Sequence, residues 1–157
     1  MTSATKEGRI VPAVLQECTE ALLAFTHAFD TGDLTAMQQH FAPDGVWIRQ
    51  DGTCTGRTGR AGLAALMARR NPGVFVRHVI TNVRGRPAGE REIALESYVT
   101  VYRHDFDGIP QTPAPLSGPD LVGRYFDTFR LCESQWLLAR REVKVDFKHM
   151  HKAKESA

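Results

Sequence analysis

The chain has 157 residues, of which 42% are hydrophobic and 24% are charged, and its formal net charge is +2. This length suits one domain built around a single sizeable core. The small net charge indicates no nucleic-acid partner, and no run approaches the eighteen or so apolar residues that a membrane span requires. We therefore expect a single domain over residues 1–157, ordered between about 11 and 147, without nucleic-acid or membrane partners.

Two further features favour the cytoplasm. The first eight residues are polar and lack the apolar core of a signal peptide. The three cysteines, Cys18, Cys54 and Cys132, are too widely spaced for a zinc knuckle or a redox motif. We therefore expect reduced thiols and a cytoplasmic protein.

The first helix is predicted by apolar residues that recur in steps of three and four along one stripe. These residues are Val11, Leu15, Cys18, Leu22, Phe25 and Phe29. The helix should end near Thr31 and Gly32, because glycine readily adopts the left-handed geometry of a helix end. Asp33 is then placed to cap a short second helix, which Pro43 should stop. The buried side of this second helix would carry Leu34, Met37 and Phe41.

A short strand and a third helix are predicted next. The segment from Gly45 to Arg49 is rich in β-formers and leads into the turn Asp51-Gly52. Thr58 could then cap a helix that ends at Asn71-Pro72. The apolar side of that helix would carry Leu63, Leu66 and Met67.

The rest of the chain reads as strands separated by turns. The predicted strands are Val74–Val83, Glu92–Phe106, Leu121–Leu131 and Trp136–Phe147. Helices followed by an antiparallel meander predict an α+β domain, with the helices covering one face of the sheet. The proline-rich segment 107–120 should be an extended loop at a rim or a lid, and residues 148–157 a frayed basic tail.

Basic residues cluster in the middle of the chain, interrupted by acids and apolar residues. They are Arg57, Arg60, Arg69, Arg70, Arg84 and Arg86. No aromatic RNA-binding motif accompanies them. We therefore interpret them as a solvated surface.

The first long strand has one face that combines apolar and polar side chains. Alternation puts Val76, His78, Ile80 and Asn82 on that face. Apolar walls with a few polar groups are typical of a ligand pocket. A structural histidine that is hydrogen-bonded in the core would give the same pattern, and the sequence leaves both interpretations open.

Asp30 is an unusual residue at the predicted end of the first helix. A carboxylate there faces the negative end of the helix dipole, which costs roughly 0.3 to 1 kcal/mol unless a cation or a donor compensates. A histidine would compensate. The alternative is an exposed turn acid, as we expect for Asp33.

The next strand alternates a polar face with a mostly apolar one. The polar face carries Glu96, Tyr98, Thr100, Tyr102 and His104, and the other carries Leu95, Ser97, Val99, Val101 and Arg103. If the polar face turns toward a cavity, Tyr98, Tyr102 or His104 would contact a ligand. If it turns outward, these residues would serve a subunit contact or solvent.

Three segments resemble successive landmarks of the SnoaL-like and NTF2-like superfamily. They are "AFDTGDLTAMQQHFAPDGVWI", "VRHVITN" and "YFDTFRLCESQWLLARREVKVDF". The resemblance covers roughly residues 13–147, and it implies a cone of strongly curved antiparallel sheet that packs against the N-terminal helices and encloses a pocket. The functional likeness is to scytalone dehydratase and hexachlorocyclohexane dehydrochlorinase, which are cofactor-free lyases with an Asp and a His facing one pocket. The matching positions here are Asp30 and His78.

The chain departs from scytalone dehydratase at one pocket position, and the match at a second position is open. That enzyme has a tyrosine immediately before the aspartate, where this chain has Phe29. Its second pocket histidine would fall near Arg103 or His104, and we favour His104. The water-holding phenol arrangement of that enzyme is therefore not reproduced here.

The resemblance implies a cofactor-independent lyase, such as a dehydratase, that acts on a small aromatic, alicyclic or polyketide-like substrate. His78 would be the general base and Asp30 would orient it, while Asn82, Tyr98, Tyr102 and His104 would bind substrate. A cyclase or isomerase could use the same dyad. The non-catalytic alternative is a ligand carrier or a module like the small subunit of ring-hydroxylating dioxygenases. We expect no metal, no cofactor and a homo-oligomer, either a dimer or a trimer.

Overall fold

The computed structural model describes residues 4–6, 9–49 and 59–150. The elements in these ranges are, in chain order, β1 (Thr5–Lys6), β2 (Arg9–Ile10), α1 (Pro12–Thr31), α2 (Leu34–His40), β3 (Phe41–Arg49), α3 (Gly59–Met67), β4 (Val74–Gly89), β5 (Glu92–Asp105), β6 (Leu121–Cys132) and β7 (Gln135–Lys148). The α+β fold predicted from the sequence is confirmed. None of the helices in these ranges has the length and apolar character needed to cross a membrane.

The main sheet has five strands in the order β3-β7-β6-β5-β4. Strands β4 to β7 form the predicted antiparallel meander, whereas β3 pairs with β7 in parallel, which the sequence did not predict. The sheet is curved and, within the described residues, does not close into a barrel. Helix α1 packs against β4 and β7. The helices therefore cover one face of the sheet, and a pocket can form between the two layers.

The ends of the first two helices follow from their capping residues. Gly32 has φ of 77°, the left-handed conformation that glycine adopts without strain, and it ends α1 as predicted. The Asp33 carboxylate accepts a hydrogen bond from the Ala36 backbone N–H at 2.9 Å and so caps α2. The structure corrects the predicted end of α2. The helix stops at His40, and Phe41 is buried as the first residue of β3.

Strand β4 is longer than predicted, because it continues past Val83 to Gly89. Its far end contains Gly85 and Pro87, which read as turn residues in the sequence. Among the described strands, β4 pairs only with β5, and an edge strand tolerates the missing N–H of proline. A Cβ at Gly85 would lie 2.6 Å from Leu15 Cδ1. Glycine therefore allows this end of β4 to approach α1 closely.

Some predicted features at the ends of elements need correction or lie outside the described residues. Lys148 belongs to β7, and the backbone N–H of His149 donates to the Asp120 carbonyl at 2.8 Å, so the frayed tail does not begin at Lys148. The turn at Asp51-Gly52, the cap at Thr58 and residues 151–157 lie outside the described residues.

A buried ion pair lies at the centre of the sheet. Arg141 of β7 donates from Nε and Nη2 to the two carboxylate oxygens of Asp127 on β6, at 2.9 and 2.7 Å. Their side chains are only 2% and 1% exposed. Burial lowers the pKa of Arg141, but the charge and hydrogen bonds of Asp127 outweigh it and raise that pKa overall. The Arg141 guanidinium also lies 4.0 Å from the centre of the Tyr125 ring. The ion pair thus holds the Arg141 guanidinium against the Tyr125 ring.

We expect Asp127→Asn to destabilise the fold by about 3 to 5 kcal/mol, because it leaves the Arg141 cation buried without a counter-charge. Urea denaturation followed by circular dichroism measures the loss. The matched control is Asp146→Asn, which breaks the more exposed pair with Arg124 and should move the unfolding midpoint far less. Equal effects of the two substitutions would contradict this account of the buried pair.

Candidate active site

A cavity of about 320 Å³ lies between the helices and the main sheet. Its walls are mostly apolar and come from α1, α3 and all five strands of the main sheet. The polar residues among those that line it are Arg69, Arg70, Asn71, His78, Arg103 and Asp120. This volume is at the small end of the range for ligand pockets, and the mixture of apolar walls with few polar groups is typical of them.

His78 lies in the wall of this cavity. On β4 the side chains alternate, so that Val76 is buried beside His78 while Val79 is exposed to solvent. The His78 side chain is only 8% exposed. Its ring lies 5.4 Å from the ring of Phe29, which also lines the cavity. The imidazole therefore faces a partly open and largely apolar cavity.

Asp30 lies behind His78 and contacts it through both carboxylate oxygens. Oδ1 lies 2.5 Å from His78 Nδ1, and Oδ2 accepts the His78 backbone N–H at 2.9 Å. The Asp30 side chain is 7% exposed and is not among the residues that line the cavity. Two hydrogen bonds fix both the ring and the backbone of His78. Nε2 has no hydrogen-bond partner among the described residues, so it is the nitrogen available to a ligand.

Arg70 stabilises the helix end that carries Asp30. Its guanidinium donates from Nη1 to the Phe29 carbonyl at 2.7 Å and from Nη2 to the Asp30 carbonyl at 2.8 Å. A cation at these last carbonyls compensates the negative end of the helix dipole. The sequence suggested only a histidine for this task. The interpretation of Arg70 as solvated surface was wrong, because it is half-buried and lines the cavity. Arg69 also lines the cavity but is exposed, as predicted.

The polar face of β5 turns away from the cavity. Val101 and Arg103 line the cavity, so alternation places Tyr102 and His104 on the opposite face. Tyr98 shares that face and is 49% exposed. The structure therefore corrects the expectation that these three residues contact a ligand there. It also places Arg103, rather than the favoured His104, at the cavity wall.

Asn82 is also displaced from its predicted position. A β-bulge interrupts the pairing of β4 with β5 between Thr81 and Arg84, and Asn82 adopts φ of 54° within it. Alternation does not continue through a bulge. Asn82 is exposed and is not among the residues that line the cavity.

Trp47 and Tyr125 form part of the cavity wall that the sequence did not reveal. The two side chains come from β3 and β6, and both contact the buried guanidinium of Arg141. Trp47 also packs edge-on against Phe29, with ring centres 5.3 Å apart. The only available signal was their position on alternating strands, which does not tell which strands face one cavity.

The described residues contain no group of three or more His, Cys, Asp and Glu side chains placed to hold a metal ion. The His78 and Asp30 pair instead has the geometry of a histidine base and its orienting acid. A carboxylate at Nδ1 fixes the ring tautomer and stabilises the cation that forms when Nε2 accepts a proton.

The SnoaL-like domain matches residues 14–142, which is most of the chain. The protein belongs to the SnoaL-like domain family. This family includes enzymes such as dehydratases and cyclases. No curated protein matches the sequence significantly.

Solved structures agree with this SnoaL-like fold. A candidate scytalone dehydratase from Novosphingobium aromaticivorans DSM 12444 has a TM-score of 0.69 and 19% identity, covering 90% of each chain. An NTF2-like protein with a cystatin-like fold from Novosphingobium aromaticivorans has a TM-score of 0.63 and 21% identity, covering 83% of this chain and 80% of that one.

A third similar structure is the β subunit of a candidate aromatic-ring-hydroxylating dioxygenase from Novosphingobium aromaticivorans DSM 12444. Its TM-score is 0.68 and its identity is 17%, covering 88% of this chain and 93% of that one. At such identities the likeness concerns the fold, which hosts both enzymes and supporting subunits.

We expect the neutral His78 ring to carry its proton on Nδ1, because Asp30 accepts a hydrogen bond from that atom. Long-range ¹H–¹⁵N NMR distinguishes the two tautomers. Asp30→Ala should move part of the population to the Nε2-protonated form, while the signals of His104, on the opposite face, stay unchanged. An Nε2-protonated ring in the unmodified protein would contradict the assigned geometry.

Proposed function

We propose that the protein is a cofactor-independent lyase. It would catalyse a dehydratase-like elimination on a small aromatic, alicyclic or polyketide-like substrate. The observation that carries the proposal is the pair formed by Asp30 and His78. The Asp30 carboxylate binds Nδ1 of His78, and Nε2 of His78 is available to a ligand in the largely apolar cavity. Membership of the SnoaL-like family supports it.

In the proposed reaction, His78 Nε2 removes a proton from a substrate carbon. The electrons of that C–H bond form a double bond to the neighbouring carbon, and the hydroxyl group on that neighbour departs with its bonding electrons. The imidazolium returns its proton to this leaving oxygen, so that water is released and His78 is neutral again. Asp30 stabilises the imidazolium between the two steps.

The apolar wall favours this chemistry. Apolar surroundings strengthen the attraction between the Asp30 carboxylate and the imidazolium, because they screen charges less than water does. Phe29, Trp47 and Val76 supply this wall near His78. The same dyad would catalyse isomerisation or cyclisation if the proton returned to carbon and no group departed. Loss of water from the product, measured by mass spectrometry, separates elimination from these alternatives.

We expect His78→Ala to abolish turnover, because it removes the base. Asp30→Asn should keep the shape of the site but lose the charge that favours the imidazolium, which costs roughly 10³- to 10⁴-fold in kcat by analogy with hydrolase triads. The assay follows elimination from a panel of hydroxylated aromatic and alicyclic compounds.

The matched control for these variants is Arg77→Gln, which lies next to His78 on β4 but on the exposed face. It should retain full activity, and circular dichroism should show a native fold for all three variants. Full activity of folded His78→Ala or Asp30→Asn would refute the dyad. Inactivity of the unmodified protein on every compound would favour a ligand-binding module.

We also propose that the chain forms a homo-oligomer through the outward face of the sheet, where Val79 and Tyr98 are exposed. Light scattering at micromolar concentration should give the mass of a dimer or a trimer. Tyr98→Glu places a charge on this face and should lower the measured mass. A monomer mass for the unmodified protein would contradict this proposal.

A further inference from the structure

The charges around the cavity are unevenly distributed. Among the residues that line it, Arg69, Arg70 and Arg103 are cationic and Asp120 is acidic. Asp30 does not line the cavity, and its carboxylate is bound to His78. The wall that a ligand meets is therefore apolar with an excess of positive charge.

Arg103 is largely neutralised by its neighbour on β5. Its Nε and Nη2 donate to the two carboxylate oxygens of Asp105 at 2.8 and 2.9 Å. A guanidinium that already binds one carboxylate through two hydrogen bonds is a poor partner for a second anion. Arg103 therefore contributes less than its formal charge to ligand binding.

Arg70 has no such carboxylate partner among the described residues. A guanidinium has five N–H donors, and Arg70 uses two of them for the carbonyls of Phe29 and Asp30. Neutral carbonyl oxygens satisfy donors without cancelling the charge. Burial is the main cause that lowers the pKa of Arg70, and the nearby charge of Arg103 acts in the same direction while Asp30 opposes it. An anion would relieve both unfavourable effects.

Arg70 is also close to the proposed base. It bonds the backbone carbonyls of Phe29 and Asp30, and the Asp30 carboxylate bonds His78. The guanidinium carbon lies 5.5 Å from the centre of the Phe29 ring, and that ring lies 5.4 Å from the His78 ring. A ligand of one or two rings can therefore contact Arg70 and His78 together.

The cavity volume limits the ligand size. A cavity of about 150 Å³ in another protein holds benzene, and the present cavity measures about 320 Å³. The available space is thus about twice that needed for one ring. Small one- or two-ring compounds fit this space.

We propose that Arg70 binds an oxyanion of the substrate, so that the preferred ligand is a one- or two-ring compound with a carboxylate, phenolate or enolate oxygen. This inference rests on the proposed function only in placing the substrate in this cavity beside His78. Removal of a proton from carbon beside a carbonyl group moves negative charge onto the carbonyl oxygen. Arg70 stabilises that oxygen while His78 holds the proton.

The test compares two non-reactive probes of the same shape, 1-naphthoate and 1-naphthamide. Isothermal titration calorimetry on the full chain gives the ratio of their Kd values. We expect a preference for naphthoate of roughly 10- to 100-fold, the range for hydrogen bonds to a charged group. Arg70→Gln keeps a side-chain donor but removes the charge, so the preference should fall to near unity, while Arg70→Lys should retain part of it.

The control is Arg77→Gln, which removes one cation from the outward face of β4 and should leave the ratio unchanged. If Arg70→Gln does not fold, NMR of the unmodified protein replaces it, and naphthoate should shift the Arg70 Nε–H signal more than naphthamide does. Equal binding of the two probes, binding of neither, or an unchanged ratio in folded Arg70→Gln would overturn the inference.

These outcomes are independent of turnover, because neither probe can undergo elimination. A protein that prefers naphthoate through Arg70 but eliminates nothing would retain this inference and lose the proposed function. A protein that eliminates water but does not prefer naphthoate would retain the proposed function and lose this inference.

Discussion

The contact between Asp30 and His78 joins the two layers of the fold at the cavity. Asp30 ends α1 and His78 lies on β4, and the carboxylate bonds both the ring and the backbone N–H of the histidine. The contact therefore fixes the distance between the helix and the edge of the sheet, and the cavity wall beside it. The Arg70 guanidinium donates hydrogen bonds to two backbone carbonyls at the same helix end. The orientation of the proposed base thus depends on how α1 and α3 pack on the sheet.

Two buried acids in this protein perform different tasks. Asp127 accepts two hydrogen bonds from Arg141, which is always charged, and both side chains lie within the sheet with almost no exposure. Asp30 binds an imidazole, which is the proton acceptor in the proposed reaction. The first pair is a fixed charge arrangement that supports the aromatic wall of Tyr125. The second pair contains the proposed base, so the proposed chemistry belongs to it.

The sequence predicted most elements, because helical stripes and strand alternation are local. It also brought Asp30 and His78 together through the family resemblance. It could not predict the bulge at Asn82 or the parallel pairing of β3, because both depend on contacts between distant segments. For Arg103, strand alternation and the family resemblance led to different predictions. Alternation with Val99 and Val101 already placed it on the buried face, while the resemblance favoured His104. Arg70 was missed because the direction of a side chain after a helix depends on packing.

The hydrogen bond from the His78 backbone has a second consequence for the edge of the sheet. An edge strand exposes unpaired N–H groups that can recruit a strand of another molecule and start aggregation. At His78 the Asp30 carboxylate accepts that N–H, so it replaces a neighbouring strand at this point. Asp30 therefore protects this edge of the sheet whether or not the site is catalytic. The histidine ring gains nothing from edge protection. The edge contact uses only the backbone N–H of His78, so it does not explain why the side chain at this position is an imidazole.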